Sequence, residues 1–234
     1  INKKIFSPHR DQPLEIELWK SNKEYSDKEL IIFMPGLGGD INNFKWIGTE
    51  LIERGWPIAF LNHSGSDSDT FIEVLEGKEV IPGGADFFLY RLKDLDSVIN
   101  AHSNGRFGLV NDSYILMGHS LGALIALLYE GSKQIDGLEK RCDLSLKDFG
   151  VTNLSKLLQC QLIEIPFPEK NNSKKANAII GFNTFGSLIW PKEKSSGIDV
   201  PLLLIGGTYD LITPLINEQF KVFSSANNPL NRFL

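Results

Sequence analysis

The segment Tyr114-Ile115-Leu116-Met117-Gly118-His119-Ser120-Leu121-Gly122 runs from an apolar stretch into a sharp turn, and a second apolar stretch, 123–129, follows it. This order predicts a strand, a tight turn and a helix. A G-x-S-x-G turn at such a junction holds its serine in a strained backbone conformation, with the hydroxyl above the sheet. Glycines on both sides let the strand and the helix pack closely. We therefore predict that Ser120 is a nucleophile; the alternative is an ordinary turn with an incidental serine.

Length and composition indicate one globular α/β domain spanning residues 1–234. The chain has 234 residues, of which 42% are hydrophobic and 23% charged, so it can bury a large core. Its net charge of −5 argues against a nucleic-acid partner, which requires a basic face. No apolar run approaches the roughly 20 residues of a membrane span, and the polar N-terminal region contains no signal-peptide core.

Two cysteines and the first residue bear on cellular location. Cys142 and Cys160 lack metal-ligand spacing and form no C-x-x-C pair. We expect them to be reduced and the protein to be cytoplasmic, with a disulfide between them as the alternative. Because the chain begins at Ile1 rather than Met, the sequence leaves open whether a targeting segment precedes it.

We predict no cofactor and no metal. One acidic group lacks the spacing of a calcium loop and is predicted to be a solvated acidic loop; it comprises Asp67, Asp69, Glu73 and Glu76.

Short apolar runs alternate with helical periodicity along the chain, which is typical of a mostly parallel central sheet flanked by helices. The predicted core strands are 30–34, 58–61, 114–117, 178–182 and 201–205. Two amphipathic helices are predicted, one from Phe44, Ile47 and Leu51, the other from Phe88, Leu92, Leu95 and Ile99. Alternation at Leu14, Ile16 and Leu18 predicts an antiparallel edge strand.

A long segment, 131–175, interrupts this alternation with loosely spaced leucines and a polar cluster. Connections of this length are usually functional. We expect either a small cap over the nucleophile that shapes an acyl pocket, or a packed surface excursion.

A serine nucleophile that attacks a carbonyl carbon creates negative charge on the carbonyl oxygen. Hydrogen-bond donors must stabilise that charge, and backbone N–H groups often supply them. Leu121, the residue after the candidate nucleophile, is the first predicted donor. The glycine-rich loop 34–39 follows a predicted strand, and we choose Leu37 there as the second. The alternative is a plain glycine-rich turn.

The predicted acid is Asp210. It follows the apolar run 202–205 at the carboxyl end of a strand, where active sites of α/β proteins gather. Thr213 and Pro214 then indicate a helix N-cap and first helical residue. The alternative for Asp210 is a turn aspartate.

The whole chain resembles the α/β-hydrolase superfamily, and more narrowly the predicted dienelactone-hydrolase and platelet-activating-factor-acetylhydrolase-like serine esterases. The resemblance lies in the segments 33–39, 59–66, 91–99, 118–122 and 206–214. It implies an α/β-hydrolase fold and a small-molecule ester substrate. One departure is Pro35, which stands where such enzymes usually have histidine; backbone donors survive this change.

The catalytic base is the larger departure, because histidine follows the acid in this fold and no histidine follows Asp210 here. His119 lies inside the turn, and His9 and His102 are expected to be exposed. His63 ends a strand and is interpreted as a structural residue or a possible substrate contact. No strand or helix is predicted at the chain's end, and we expect a C-terminal truncation that removed the histidine.

Two hypotheses follow. The first is a serine hydrolase that cleaves carboxylic esters, lactones or thioesters through a Ser-His-Asp triad and an acyl-enzyme. The second is a non-catalytic protein of the same fold that binds a small apolar ligand.

Overall fold

A computed structural model of the protein describes residues 1–20, 27–75, 86–131, 135–147, 154–165, 167, 174–191 and 195–234. Its centre is an eight-stranded sheet with the strand order β1-β2-β4-β3-β5-β6-β7-β8. The strands are β1 Asn2–Ile5, β2 Leu14–Trp19, β3 Leu30–Met34, β4 Ile58–Leu61, β5 Tyr114–His119, β6 Ile179–Phe182, β7 Leu202–Ile205 and β8 Arg232–Phe233. All five predicted core strands are present, with boundaries shifted by at most two residues.

The sheet is parallel from β4 through β8 and antiparallel only at its N-terminal side. There β1 pairs antiparallel with β2, and β2 pairs antiparallel with β4. The prediction that β2 is an edge strand is therefore wrong, because β1 covers its outer side. The prediction that the chain's end lacks a strand is also wrong, since β8 pairs in parallel with β7.

Helices cover both faces of the sheet. They are α1 Lys45–Glu53, α2 Ser68–Leu75, α3 Asp86–Ser103, α4 Leu121–Glu130, α5 Leu138–Leu146, α6 Leu154–Cys160 and α7 Phe220–Ser225. Short 3-10 turns lie at Ile41–Phe44 and Gln161–Glu164, and a π-helical turn, Leu215–Gln219, precedes α7. Both amphipathic helices predicted from the sequence are present, as α1 and α3.

The side chains of β3 show how the two faces divide the core. Leu30, Ile32 and Met34 join the larger apolar cluster, which includes residues of α3 and α4. Ile31 and Phe33 join the smaller cluster on the side of α1. Successive side chains of a strand point to opposite faces, so a strand buried on both sides is apolar throughout.

The inserted segment contributes α5 and α6, which a disulfide between Cys142 and Cys160 joins. The prediction of reduced cysteines is therefore wrong. The two residues lie 18 positions apart, and the packing of α5 against α6 brings them together. The sequence contains no periodic signal for that pairing, because it depends on how the two helices cross.

Hydrogen bonds attach the described part of this insertion to the loop after β6 and to the π-helical turn. Gln159 Oε1 accepts from the backbone N–H of Leu188 at 2.7 Å, and Ser155 Oγ donates to Glu218 at 3.1 Å. The insertion is thus packed against the rest of the domain, and a cap over the nucleophile stays a prediction. Residues 166 and 168–173 lie outside the described residues.

The acidic segment after β4 is helical rather than a loop, so that prediction is wrong. Asp67 Oδ1 accepts hydrogen bonds from the N–H and hydroxyl of Thr70, at 3.1 and 2.8 Å, and so caps α2. Glu76 lies outside the described residues. Among the described helices, none is long and apolar enough to cross a bilayer.

Candidate active site

Ser120 lies in the turn between β5 and α4, at the carboxyl end of the parallel strands. Its backbone has φ 51° and ψ −116°, which is a strained conformation for a residue with a Cβ. The flanking glycines permit this turn because, without a Cβ, they let neighbouring backbone segments approach closely. A Cβ at Gly118 would lie 2.4 Å from the carbonyl carbon of Gly122, and one at Gly122 would lie 2.1 Å from the Met34 carbonyl oxygen. The strand, the helix and the loop after β3 therefore meet at the serine.

The glycine-rich loop after β3 borders the serine directly. A Cβ at Gly36 would lie 3.3 Å from Ser120 Cβ. The next residue, Leu37, is half-buried, and its N–H has no hydrogen-bond partner among the described residues. Leu121 begins α4, and N–H groups in a first helical turn lack intrahelical partners. Both residues thus lie on segments that adjoin Ser120, and their role as donors stays a prediction.

Asp210 lies at the same edge of the sheet, after β7. Its Oδ1 accepts from the N–H groups of Ile212 and Thr213, each at 2.8 Å. Its Oδ2 accepts from the Thr213 hydroxyl at 2.7 Å and also from the Asn183 side-chain amide. Burial opposes ionisation here, but the hydrogen bonds from Thr213, Asn183 and Ile212 outweigh it and hold the pKa of Asp210 below its usual value.

The predicted helix start near Asp210 shifts by one position. Pro214 is the N-cap of the π-helical turn, and Thr213 precedes it. The Thr213 side chain bonds to Asp210 instead of capping the helix, because the aspartate lies within reach of it. Thr213 therefore orients the candidate acid.

Neighbouring strands bring these elements to one edge. The Ser120 N–H donates to the Phe182 carbonyl at 2.8 Å, and the Asn183 N–H donates to the Ile205 carbonyl at 2.9 Å. Ser120, Asn183 and Asp210 thus follow three adjacent parallel strands. Asn183, with φ 48°, links the last two, and sequence reasoning missed it because an isolated asparagine after a strand has no distinctive spacing.

The four histidines occupy different environments. His119 packs its ring against Phe44, with centroids 5.4 Å apart, and burial lowers its pKa while Asp210 partly opposes that shift. His102 is only 2% exposed and contacts the Ser113 carbonyl at 3.1 Å. The expectation that His102 is exposed is therefore wrong, because the last turn of α3 places its ring in the interior, where it stacks against Phe107.

His63 and His9 both bind Asp94, a buried carboxylate on α3. His63 Nδ1 lies 2.9 Å from Asp94 Oδ2, and His9 Nε2 lies 2.8 Å from Asp94 Oδ1. The His9 side chain is only 10% exposed, so the expectation of an exposed His9 is also wrong. The His63 ring is fully buried, which fits its structural interpretation and leaves no exposed atom for a substrate contact.

Asp94 and Arg91 are buried charged residues that sequence reasoning did not single out. Arg10 donates to both carboxylate oxygens of Asp94 at 2.6 Å. Burial opposes the ionised carboxylate, but hydrogen bonds from His63, His9 and Arg10 keep the pKa of Asp94 well below its usual value. Arg91 is 1% exposed and contacts the loop beside Ser120. On a helix of mixed polarity, neither residue differs in pattern from a solvated charge.

Comparison with known proteins establishes the fold. No protein family profile and no curated protein matches the chain. A lipase/esterase from Lactobacillus plantarum superposes with a TM-score of 0.59 at 14% identity, covering 97% of this chain and 87% of the other. A dienelactone hydrolase from Anabaena variabilis gives a TM-score of 0.60 at 14% identity, with 100% and 84% covered.

An α/β serine hydrolase homologue from Coxiella burnetii is also similar, with a TM-score of 0.57 at 16% identity and coverage of 100% and 86%. At these identities the likeness is one of fold. The chain has the α/β-hydrolase fold, which confirms the prediction from the sequence.

Proposed function

We propose that the protein is a serine hydrolase that cleaves carboxylic esters, with lactones and thioesters as related substrates. The observation that carries this proposal is the strained turn at Ser120 beside the glycine-rich loop after β3. Backbone strain persists where the surrounding structure enforces it, and it concentrates at functional sites. A plain turn would not require a serine with φ 51°. The fold's similarity to esterases and hydrolases supports the same class.

The reaction follows from the groups at the sheet edge. Ser120 Oγ loses its proton to a base and attacks the ester carbonyl carbon, and the carbonyl π electrons move to oxygen. The N–H groups of Leu37 and Leu121 stabilise that oxyanion. The tetrahedral intermediate then collapses, and the alcohol leaves with the proton from the base. Water, activated in the same way, releases the acid and regenerates Ser120.

Asp210 is the proposed acid of the triad, which orients a histidine base and stabilises its charged form. Its lowered pKa means that the carboxylate is ionised at neutral pH, as this role requires. Of the four histidines, His63 and His9 are bonded to Asp94, and His102 is bonded to the Ser113 carbonyl. His119 packs on Phe44. We therefore propose that the base is a histidine outside residues 1–234 of the full-length protein.

The disulfide bears on the proposed location. Disulfides persist in oxidising compartments and are rare in the cytosol. The bond between Cys142 and Cys160 favours an oxidising compartment, and we propose this location in place of the cytoplasmic one.

A fluorophosphonate probe tests the proposed function, because it labels activated serines without requiring the natural ester. We expect the full-length protein to be labelled at Ser120 and to hydrolyse p-nitrophenyl esters, whereas Ser120→Ala does neither. Ser64→Ala, at an exposed serine on another loop, is the matched control and should behave as the wild type. Absence of both labelling and turnover in the full-length protein would refute the proposal in favour of the ligand-binding alternative.

A further inference from the structure

The buried guanidinium of Arg91 binds the loop that carries the candidate oxyanion donor. Nη1 donates to the Pro35 carbonyl at 2.7 Å, and Nη2 donates to the Gly36 carbonyl at 3.0 Å. Nε donates to Ser66 Oγ at 2.8 Å, and Nη2 also donates to the Ser66 carbonyl at 2.9 Å. Arg91 therefore joins α3 to two separate loops near Ser120.

The bond to Gly36 fixes the direction of the neighbouring N–H group. The carbonyl of Gly36 and the N–H of Leu37 belong to one peptide unit, and that unit is planar and trans. In a trans peptide the C=O and the N–H point in opposite directions. A guanidinium that holds the Gly36 oxygen therefore turns the Leu37 N–H away from α3.

The partners of Arg91 make it an unusual buried ion. All four of its hydrogen bonds within the described residues go to neutral oxygens, although a buried charge is costly unless it is well paired. By contrast, Arg10 binds the carboxylate of Asp94 directly. The buried charged cluster here comprises His9, Arg10, His63, Arg91 and Asp94. The carboxylates of Asp94 and Asp67 stabilise the charge of Arg91 through space, so its hydrogen bonds are free to order backbone carbonyls.

We propose that Arg91 is a positioning residue that holds the Gly36–Leu37 peptide with its N–H directed at the oxyanion. This role rests on the proposed hydrolase function and adds to it the residue that preorganises the oxyanion site. Preorganised donors contribute to the rate because they need no reorganisation when charge develops. Loss of the guanidinium should therefore weaken transition-state binding more than ground-state binding.

Arg91→Lys tests this role, since lysine keeps the charge but lacks the planar donors that hold two carbonyls together. We expect kcat for p-nitrophenyl esters to fall about 10- to 100-fold with KM changed less than about twofold, because losing one oxyanion donor entirely costs about 100- to 1,000-fold. The inhibition constant of a trifluoromethyl ketone, which forms a tetrahedral adduct, should rise by a similar factor.

Arg10→Lys is the matched control. It alters another arginine of the same cluster whose contacts are Asp94 and the Ser64 carbonyl rather than the oxyanion loop. We expect Arg10→Lys to lower the Tm without changing kcat by more than about twofold. Equal losses of kcat in the two variants would overturn the proposal, because they would indicate a general effect of disrupting the cluster. An unchanged kcat in folded Arg91→Lys would also overturn it.

Amide hydrogen exchange measures how well the backbone hydrogen bonds of the glycine-rich loop are held, and it does not depend on turnover. The Gly38 N–H donates to the Ser66 carbonyl and the Gly39 N–H donates to the Gly36 carbonyl, and both of these acceptors also bind Arg91. We expect faster exchange in a peptide covering 34–40 in Arg91→Lys but not in Arg10→Lys. Unchanged exchange would overturn the proposal.

Ser66→Ala covers the case in which Arg91→Lys does not fold. It removes the Nε acceptor and leaves the guanidinium in place, so a smaller loss of kcat and faster exchange of the same peptide are expected. Unchanged kcat and exchange in Ser66→Ala would then count against the role. Failure of a fluorophosphonate to label the wild type would instead refute the hydrolase function, whatever the exchange rates are.

Discussion

Replacing Ser120 by alanine and by glycine separates the chemistry of its hydroxyl from the strain of its backbone. Alanine removes the hydroxyl but keeps the Cβ, so φ 51° stays unfavourable. The Ser120 side chain makes no capping hydrogen bond to α4, so its removal does not incur the usual loss of about 1 kcal/mol. We therefore expect Ser120→Ala to unfold at nearly the wild-type temperature.

Glycine should relieve the strain. Unfavourable φ and ψ destabilise the folded state by about 1 to 3 kcal/mol, and glycine removes that strain. The greater freedom of glycine in the unfolded chain lowers the free energy of unfolding by roughly 0.4 to 1 kcal/mol. A net gain of about 1 kcal/mol is expected. For a chain of this size that raises the Tm by about 2 to 4 °C above that of Ser120→Ala.

Calorimetry and steady-state kinetics on the full-length variants check both parts. Either substitution should lower kcat/KM for esters about 10⁴- to 10⁶-fold, because the nucleophile is gone. A Ser120→Gly variant that unfolds at or below the temperature of Ser120→Ala would refute the strain argument. Turnover at the wild-type rate in Ser120→Ala would refute the assignment of the nucleophile.

Three further predictions concern the acid, the disulfide and the buried histidine. Asp210→Asn should lower kcat/KM about 10³- to 10⁴-fold at constant KM, as steady-state kinetics would record, because a neutral amide does not stabilise the charged base. Replacing Cys142 and Cys160 by serine should remove about 3 kcal/mol of stability, given their 18-residue separation, and lower the Tm by about 6 to 12 °C; ester turnover at 25 °C should stay within about twofold. Burial lowers the pKa of His63 to about 4, and the charge of Arg91 reinforces this shift while Asp94 opposes it. Between pH 6.5 and 4 the unfolded state therefore binds a proton that the folded state does not. Stability measured by urea titration should fall by about 3 kcal/mol over that window, and His63→Gln should abolish this share of the fall.

Periodicity in the sequence was sufficient for the central strands and the helices α1 and α3, because strands buried on both faces and amphipathic helices have distinct apolar patterns. It was insufficient at the borders of the sheet. The strand β1 has one buried residue in four, and β8 is two residues long, so neither has a pattern of its own. Pairing with β2 and β7 makes each a strand, and that pairing depends on tertiary structure.

In the candidate site, too, some residues could be predicted from the sequence and others depend on the tertiary structure. Ser120, Leu121, Leu37 and Asp210 could be predicted because each belongs to a local motif at the end of a strand, where backbone geometry depends on a few neighbouring residues. Arg91 could not, because it contacts Gly36 across 55 positions of sequence. Likewise, His9 reaches Asp94 across 85 positions, and no local pattern indicates such a bond. The linear chain thus contains the turns that hold the candidate site residues. Which buried charged side chains lie near those turns depends on how the folded sheet and helices bring distant segments together.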